Sequence, residues 1–558
     1  MSHLSTVPPS STQILVIGGG PSGAYTAAAL AREGFQVTLL EKEIFPRYHI
    51  GETMLHSFRM FLKFIEAEEK VKNFGFAVKL GSAVKLNQHK REGYTDFTLG
   101  GEAPERASWS VTRADFDNLL LKHASESGAS VYEGVRVTEI NFFAENPQQP
   151  VAAEWKSDQG SGEIKFSWLV DASGRTGIMS TRYLKNRKFT QNPALKNIAS
   201  WGYWKGAGIY MPGTNRENAP WFEALTDETG WAWFIPLQAG VVSVGVVLSE
   251  TSNRIKKAQA ADVKAHYLSQ LQLTPGLLKL LGNAELVSDI KSAADYSYSA
   301  GDNQYAGPNF RLVGDAGGQI WSSTAYWSKL TCQYSIRKWP GPSEELFYNK
   351  DDVQIDPLFS SGVHLAFTNA LSAATTIAAS IRGRCTEEEA IKFHNQKVGV
   401  SYTRFLIVVL GVYKQIHAQG SDVLSDIYED NFDRAFDFIR PVIQGDADTP
   451  WETQIQQAID FLGTSTGVVG MDPAIKERLS KRLDASLLAD NGPFLPAKAL
   501  AEASGDDTEA MELLQRMNSR KAITGMYNWA ENFEGDNLSG FAMILERGSL
   551  GLKREQVS

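Results

Sequence analysis

Residues 14–23 read Ile-Leu-Val-Ile-Gly-Gly-Gly-Pro-Ser-Gly, and this stretch decides the fold. Its four leading apolar residues predict a buried strand, and the alanine-rich segment 24–31 beyond the turn is a strong helix former. Gly34 ends that helix, and Val-Thr-Leu-Leu-Glu at 37–41 predicts the next strand. The three elements form a βαβ unit, which opens a doubly wound α/β sheet.

The glycine-rich turn has the spacing of a dinucleotide-binding loop. Gly18 allows the tight turn, Gly20 lets the backbone approach a pyrophosphate, and Gly23 lets the helix pack closely on the strand. The helix N-terminus then faces the phosphate charge, and Glu41 ends the second strand where a carboxylate suits a ribose. A merely structural turn is the alternative, but the strand, the helix and Glu41 together favour a cofactor loop. We assign to it Gly18, Gly19, Gly20, Ser22 and Gly23.

Three further motifs favour FAD over NAD. Asp171-Ala172-Ser173-Gly174-Arg175 and Gly314-Asp315-Ala316 each follow an apolar strand. In flavoproteins that resemble the hydroxylase group, such a Gly-Asp pair places a carboxylate at the ribityl chain, and Arg113 occupies the matching arginine position. Taken singly, Asp171 could be a helix cap and Arg113 a surface ion pair, but their order along the chain indicates an FAD site.

Composition narrows the remaining classes of function. The chain has 558 residues, 43% of them apolar, and a net charge of -9, which argues against a nucleic-acid partner. With only Cys332 and Cys385, a disulfide scaffold is excluded and a cytoplasmic location fits. No cluster has zinc spacing, so no metal site is expected. The apolar run Phe405–Tyr413 is too short to span a membrane, so we predict a buried stretch of helix there.

The rest of the chain predicts a sheet-rich lobe and a helical end. Aromatic and β-branched residues are frequent at 197–300, where residues 233–248 predict a hairpin, and helical patterns dominate beyond about 363. We therefore predict an α/β, FAD-binding Rossmann-like (GR2-type) fold with a β-rich substrate lobe and a helical C-terminal region. The predicted division is a module of residues 1–395, with its lobe at 75–110 and 197–300, and a substrate-covering region of residues 396–558.

Several segments resemble those of the flavin-dependent halogenases, and most closely the fungal type that chlorinates phenolic polyketides as secondary metabolites. The matching segments are Phe45–Thr53 after the second strand, the lysine-bearing residues 70–86, the paired-tryptophan motif Gly230–Pro236, the chloride-loop motif Asp356–His364 and the end Arg547–Leu552. Thr53 stands where the family more often has serine, which is a mild change.

The resemblance implies a monooxygenase-like oxidoreductase that uses O2, chloride and FAD reduced by a separate, transiently bound flavin reductase. Hypochlorous acid would cross a tunnel to a pocket for a small aromatic substrate, where Lys79 would meet it by a hydrogen bond or as a chloramine. A positioned donor in a dry pocket can aim an electrophilic chlorine at one ring carbon. Most lysines are solvated surface residues, and only the matched segment favours the catalytic interpretation of Lys79.

The resemblance also implies roles for the other matched residues. Trp231 and Trp233 would wall the flavin from the substrate, although tryptophan pairs are more often core residues. Ser361 and Gly362 would offer backbone N–H groups to chloride at a helix start. Val363 would lie against the flavin ring, Glu52 would contact the cofactor, and His364 is interpreted as structural.

The substrate class is suggested by one position at which this chain differs from the tryptophan-halogenating members of the family. Members that halogenate tryptophan carry a glutamate in the active-site loop, where this chain has Ser360 and Ser361. A phenol is activated by its own oxygen, so the pattern favours a phenolic substrate. An aromatic hydroxylase that shares the flavin motifs remains the alternative.

One stretch does not fit the family. Its Gly-Asp-Ala and Ile-Asp-Pro motifs nearly adjoin, whereas here the 36 residues 319–354 separate Gly318 from Ile355. A surface loop can be tolerated thermodynamically. Because the insertion cuts a tight motif and stays in frame, we favour translated intron sequence. A genuine insertion would instead favour a halogenase-like protein that has lost activity.

Overall fold

The structure is a computed structural model. It describes residues 7–97, 107–189, 196–294, 298–318, 361–420, 478, 481–484, 495, 497–505, 507–511, 513–515 and 538–555. The described strands are β1 Ser11–Ile17, β2 Val37–Leu40, β3 Ala77–Lys79, β4 Gly81–Lys85, β5 Gly93–Asp96, β6 Ser108–Ser110, β7 Ser130–Tyr132, β8 Arg136–Phe143, β9 Asn146–Ser157, β10 Gly160–Asp171, β11 Arg187–Phe189, β12 Asn197–Lys205, β13 Trp221–Ala224, β14 Gly230–Pro236, β15 Val241–Ser249, β16 Glu285–Leu286, β17 Lys291–Ala294, β18 Tyr298–Ala300, β19 Ala306–Gly307, β20 Phe310–Leu312, β21 Phe541–Ile544 and β22 Gly551–Arg554. The described α-helices are α1 Pro21–Arg32, α2 Phe58–Phe64, α3 Glu68–Lys72, α4 Arg113–Glu126, α5 Glu250–Lys257, α6 Val263–Leu271, α7 Pro275–Leu281, α8 Ser361–Ile381, α9 Glu387–Ile416 and α10 Ala497–Ser504.

The first sheet carries the predicted βαβ unit. Its order is β19-β20-β10-β1-β2-β7, and every pair from β20 to β7 is parallel. Strand β1 lies at its centre because Ile14, Leu15 and Val16 are fully buried, as a continuous apolar run requires in a sheet covered on both faces. Helices α1, α4 and α8 pack on one face, and the antiparallel strands β8 and β9 extend from β10. The Rossmann-like prediction is confirmed.

The register of the first sheet aligns the carboxyl ends of β1, β2, β10 and β20. Ile17 pairs with both Leu40 and Asp171, and Asp171 pairs with Leu312. The segments that follow these residues therefore meet at the carboxyl edge of the sheet, which is where open α/β sheets bind their ligands.

The second sheet holds the aromatic-rich part of the chain. Its order is β16-β12-β15-β14-β13-β4-β5, with β17 also paired to β12. The predicted hairpin is present as β14 and β15, with Trp233 opposite Gly245. Strand β4 joins β13 in parallel, so residues from 81 onward share a sheet with residues from 221 onward.

Helix α9 packs against this second sheet. The predicted buried helix is present here. Its residues that lie in one apolar cluster with Trp231 and Trp233 include Phe405, Leu406, Val408, Val409, Leu410, Val412 and Tyr413. Among the helices that the structure describes, none is long and apolar enough to cross a membrane.

The predicted domain division at residues 395 and 396 stays a prediction. Helix α9 runs through the expected boundary at residues 395 and 396, and the last described residues form the hairpin β21–β22 instead of a helix. The hairpin packs beside α8 and α9 through Ala379 and Phe393. The substrate-covering role of residues 396–558 stays a prediction, since most of residues 421–537 lie outside the described part of the chain.

Candidate active site

A cavity of about 770 Å³ lies where the carboxyl edge of the first sheet meets the second sheet. Its volume falls within the range of about 300–1,000 Å³ that small-molecule and cofactor sites occupy. The glycine-rich loop and the segments after β2, β10 and β20 form one side, Trp231 and Trp233 form part of the other, and the start of α8 closes one end. Most residues predicted from the sequence therefore lie around one space.

The glycine-rich loop is held by contacts that exclude a side chain. Gly18 has φ +104°, and a Cβ there would lie 2.2 Å from the Ala172 carbonyl oxygen. A Cβ on Gly23 would lie 1.9 Å from the Gly18 carbonyl oxygen, which explains how α1 approaches β1 so closely. At Gly20 the nearest atom would be the Arg47 guanidinium at 3.5 Å, so the turn is open on its cavity side.

Glu41 fixes this loop as well as lining the cavity. One oxygen of its buried carboxylate accepts the Gly19 N–H at 2.5 Å, and the other accepts the Glu43 N–H at 2.7 Å. A carboxylate has about four acceptor positions, so both oxygens can still accept a ribose hydroxyl.

Arg113 is buried at the start of α4, and its side chain is fixed by hydrogen bonds to Asp117 and to the Ile50 backbone. Its guanidinium donates to both carboxylate oxygens of Asp117, at 2.9 and 3.0 Å, and to the Ile50 carbonyl at 2.7 Å. Arg47 also donates to Asp117, at 3.1 Å. Arg113 and Asp117 thus form a buried ion pair, and not the surface ion pair considered as an alternative, and Arg113 lines the cavity.

The two aspartates of the flavin motifs differ in role. Asp315 lines the cavity, and burial raises its pKa while Arg175, Arg113 and Arg187 oppose the rise. Asp171 instead accepts the N–H groups of Ser173 and Met179, at 3.0 and 2.8 Å. Asp171 therefore caps the turn that follows β10. The next residues of the motif, 172–175, line the cavity.

The start of α8 presents polar groups to the cavity. Ser361 and Gly362 are its first residues, and Val363 is buried against the same space. The Ser361 hydroxyl is buried and has no hydrogen-bond partner among the described residues. His364 accepts or donates a 2.8 Å hydrogen bond with Ser57 and packs edge-on against Phe61, in agreement with a structural role.

The paired tryptophans form a rigid wall. Trp231 is fully buried and donates from Nε1 to the Tyr413 hydroxyl of α9 at 2.9 Å, and Trp233 donates to Ser243 at 3.1 Å. Their ring centroids are 5.8 Å apart. Because both indole N–H groups are satisfied, neither ring is free to swing out of the wall.

Lys79 does not line the cavity, but it contacts Met54, the residue that follows the cavity-lining Thr53. Its side chain is 2% exposed, its Nζ donates to the Met54 carbonyl at 3.0 Å, and it lies 5.1 Å from the centroid of the Phe97 ring. No carboxylate among the described residues pairs with it, and burial lowers its pKa to about 7. The interpretation as a solvated surface lysine is excluded.

Sequence reasoning missed three tyrosines of this region. Tyr413 holds Trp231, while Tyr48 and Tyr203 form hydrogen bonds that lead to Glu52. The sequence offered only the general richness in aromatic residues as a signal, because each pair is joined by the fold across more than a hundred residues of chain.

The residues 319–360 lie outside the described part of the chain, and with them the predicted insertion and the residues 356–360 of the chloride loop. The segments on either side are described. Asp315 before this stretch and Ser361–Val363 after it line the same cavity.

The residues present fit an FAD. The open turn at Gly20 would take the pyrophosphate. The buried hydroxyls of Thr53 and Ser361, which line the cavity, have no hydrogen-bond partner within the part of the chain that the structure describes. The described residues contain no group of three or more side chains that could hold a metal ion.

Comparison with known proteins identifies the family. The sequence model of the tryptophan halogenase family matches residues 13–107 and 100–320. The flavin-dependent halogenase armH1 of Armillaria mellea is 52% identical, with 98% of this chain and 99% of the relative aligned. Sulochrin halogenase gedL of Aspergillus terreus is 42% identical, with 99% of this chain and 94% of the relative aligned.

Solved structures share the fold. The myxobacterial chondrochloren halogenase CndH superposes with a TM-score of 0.59 at 24% identity, covering 84% of this chain and 96% of that chain. The flavin-dependent halogenase CmlS gives 0.60 at 22% identity, covering 86% and 78%. Together with the motifs around the cavity, these similarities confirm the family expected from the sequence: the chain belongs to the flavin-dependent halogenases, which are FAD-dependent oxidoreductases.

Proposed function

We propose that this enzyme chlorinates a phenolic, polyketide-type aromatic compound, with chloride as the halide and Lys79 as the catalytic residue. The observation that carries the proposal is that Lys79 is buried and that no carboxylate among the described residues pairs with it. Burial lowers the pKa of Lys79 to about 7, so near neutral pH a large fraction of its amine is uncharged. Such an amine can hydrogen-bond an electrophilic chlorine species or react with it.

The cavity residues would hold the cofactor. The loop Gly18–Gly23 would bind the pyrophosphate, Glu41 the ribose, and Arg113, Glu52 and Asp315 the remainder, with Val363 against the flavin ring. When bound, reduced FAD would supply the oxidised chlorine species together with O2 and chloride. A separate flavin reductase would deliver the reduced cofactor, and a cytoplasmic location, where reduced nicotinamide is available, is part of the proposal.

The remaining residues would separate the oxidant from the substrate. The indoles of Trp231 and Trp233 fill the space between the cavity and the helix α9, which would prevent direct contact between flavin and substrate. The backbone N–H groups of Ser361 and Gly362 at the start of a long helix would bind chloride, because a helix N-terminus favours an anion.

The phenolic substrate is supported by two observations. Ser360 and Ser361 stand where tryptophan-halogenating members carry a glutamate, so neither residue at this place offers a carboxylate base. Sulochrin halogenase is among the relatives and is 42% identical to this chain. We therefore place an electron-rich phenol in the substrate pocket.

The test compares Lys79→Met with Lys85→Met. Lys85 is a matched control, since its Nζ also donates to a backbone carbonyl, that of Lys90 at 2.7 Å, but lies away from the cavity. Each protein would receive FAD, a flavin reductase, NADH, O2, chloride and a panel of phenolic polyketides, and products would be identified by the isotope pattern of chlorine in mass spectra.

We expect Lys79→Met to lose chlorinated product by about a hundredfold or more while it binds FAD and oxidises reduced flavin as before. Lys85→Met should retain its product. Chlorination by Lys79→Met at the normal rate would refute the role of Lys79, and a hydroxylated product would indicate a hydroxylase.

A further inference from the structure

A small sheet joins the flavin cavity to Lys79. Strand β6 pairs with β3 along one edge, where Lys79 lies opposite Ser108. Ser110 of β6 lies opposite Ala77 on that edge and opposite Thr53 on the other edge. Thr53 lines the cavity, whereas Lys79 on the far strand does not. The sheet therefore spans from a residue at the cavity to the lysine proposed as catalytic.

The register places the polar side chains of this sheet on one face. Directly opposed residues of neighbouring strands share a face, and so do residues two apart in one strand. Ser108 and Ser110 therefore lie on the face that Thr53 and Lys79 share. All four residues are buried, with 0% to 5% of their surface exposed. We call Thr53, Ser110 and Ser108 the hydroxyl strip.

The side chain of Lys79 reaches across β6 towards the cavity. It starts on β3, and its Nζ donates at 3.0 Å to the carbonyl of Met54, which follows Thr53 on the opposite edge of β6. The residue opposite Lys79 is Ser108, whose small side chain leaves the amine room to cross, and whose hydroxyl donates to the Leu55 carbonyl at 2.8 Å. The amine thus contacts the residue next to the cavity lining.

Thr53 offers the cavity a hydroxyl that the described residues do not bind. Its Oγ1 is buried and has no hydrogen-bond partner within the described part of the chain. Leaving a buried hydroxyl unpaired is costly, so such a group calls for contact with a bound molecule. The residues proposed above to hold FAD do not include Thr53.

The chemistry of the hydroxyl strip suits a small polar molecule. Apolar cavities exclude water and similar solutes, whereas a buried site with hydroxyl and carbonyl groups favours them. Hypochlorous acid is such a molecule, since it is mostly uncharged near neutral pH and has one O–H donor and one accepting oxygen. A threonine hydroxyl can donate to that oxygen or accept from that O–H. Bound to Thr53, the oxidant would lie beside Met54, whose carbonyl holds the amine of Lys79.

We propose that Thr53 receives hypochlorous acid from the flavin cavity and that the hydroxyl strip leads it to the amine of Lys79. Thr53 binds the oxidant and takes part in no bond change. The inference rests on the proposed role of Lys79, and it goes further by naming the residues between that lysine and the cavity.

The first test detects the oxidant on the hydroxyl strip. In Ser110→Cys a thiol replaces a buried hydroxyl of similar size between Thr53 and Lys79. Hypochlorous acid converts a thiol to a sulfenyl chloride and water, and hydrolysis then yields a sulfenic acid and hydrogen chloride. Dimedone would trap the sulfenic acid during turnover with FAD, a flavin reductase, NADH and O2, with and without chloride. Mass spectrometry would measure the labelled peptide apart from those of the native cysteines.

Ser180→Cys is the matched control. Ser180 is also a buried serine that does not line the cavity, and its hydroxyl donates to the carbonyl of Ala316, which follows the cavity-lining Asp315. We expect the chloride-dependent labelling of Ser110→Cys to exceed that of Ser180→Cys about tenfold or more, because access to the oxidant decides sulfur oxidation. Adding Thr53→Val to Ser110→Cys should lower the labelling about three- to tenfold.

The second test follows where the oxidant goes. Taurine in the buffer would trap escaped hypochlorous acid as a chloramine, and chlorinated product would be measured per flavin oxidised. We expect Thr53→Val to lower that product yield about three- to tenfold, with a matching rise in taurine chloramine, and Thr53→Ser to restore it. Thr375→Val removes a buried hydroxyl that also has no partner among the described residues but does not line the cavity, and it should change neither quantity.

The other results have distinct meanings. Labelling of Ser110→Cys no greater than that of Ser180→Cys, or an unchanged product yield per flavin in Thr53→Val, would overturn the inference. A weaker affinity of Thr53→Val for FAD with an unchanged yield would make Thr53 a cofactor residue instead. Absence of chlorinated product from the native protein would contradict the proposed function, while chloride-dependent labelling of Ser110→Cys would still show that the oxidant enters the strip.

Discussion

Glu52 shows how one buried side chain can link stability to pH. Its pKa is about 7 in the folded protein against an ordinary value of 4.5, with burial as the main cause. The folded protein therefore holds a proton that the unfolded chain releases between these values. The stability that this proton contributes is fully present below pH 4.5 and is lost as the pH rises through about 7.

We predict that Glu52→Gln raises the melting temperature at pH 8 relative to the native protein and changes it little at pH 4.5. The upper limit of the gain is on the order of 3 kcal/mol. Thermal unfolding followed by circular dichroism from pH 4.5 to 8 would measure it. A gain for Glu52→Gln that is the same at every pH would contradict the ionisation of Glu52.

At the residue scale, the sequence predicted which residues lie at the cavity better than it predicted their contacts. Glu41, Arg113, Asp315 and Trp231 were all assigned to the site, and all line the cavity. Lys79 was expected at the active site, but its burial could not be seen, since Phe97 and Met54 reach it only through folding. Partners such as Tyr203, 151 residues from Glu52, leave no local pattern in a single sequence.

At the scale of elements, the sequence predicted the strands and helices whose residues form a clear local pattern. The βαβ unit, the hairpin β14–β15 and the apolar stretch of α9 were each predicted from apolar runs and turn residues. The parallel pairing of β4 with β13 was not, because it joins short strands that are far apart in the chain. Helix α9 agrees with the helical pattern predicted beyond about 363, and the domain boundary predicted at residues 395 and 396, which falls within this helix, stays a prediction.

The start of α8 carries a prediction about chloride. Ser361 has a buried hydroxyl for which the described residues offer no hydrogen-bond partner, and it lies at the helix N-terminus, where an anion is favoured. We expect Ser361→Ala to raise the half-saturating chloride concentration about three- to tenfold, the effect of losing a hydrogen bond of ~1 kcal/mol. Steady-state halogenation at varied chloride would measure it.

Thr375→Val is the matched control for that experiment. Thr375 lies in the same helix and also has a buried hydroxyl without a partner among the described residues, but it does not line the cavity. Its variant should leave the chloride dependence unchanged. An equal rise in the half-saturating chloride concentration in both variants would mean that α8 is merely destabilised. An unchanged value in Ser361→Ala would show that the Ser361 hydroxyl does not take part in halide binding.

At the scale of the whole molecule, the site depends on two sheets and one helix meeting at a single cavity. The first sheet supplies the cofactor loop, the second supplies the tryptophans, and α8 brings Ser361 between them. The segments before and after residues 319–360 both reach this cavity, although they are far apart in the chain. The start of α8 and the turn Gly314-Asp315 thus lie at the same cavity.

This arrangement leads to a prediction about the stretch 319–354. A form that lacks these residues and has one apolar residue in their place should bind FAD and halogenate at least as well as the full chain, because the flanking segments already lie at the same cavity. FAD binding by fluorescence quenching and product formation by mass spectrometry would compare the two forms. Loss of both in the shortened form alone would identify the stretch as a genuine part of the enzyme. Sequencing the transcript tests the origin of the stretch separately, since an uninterrupted message that contains these codons would exclude intron sequence.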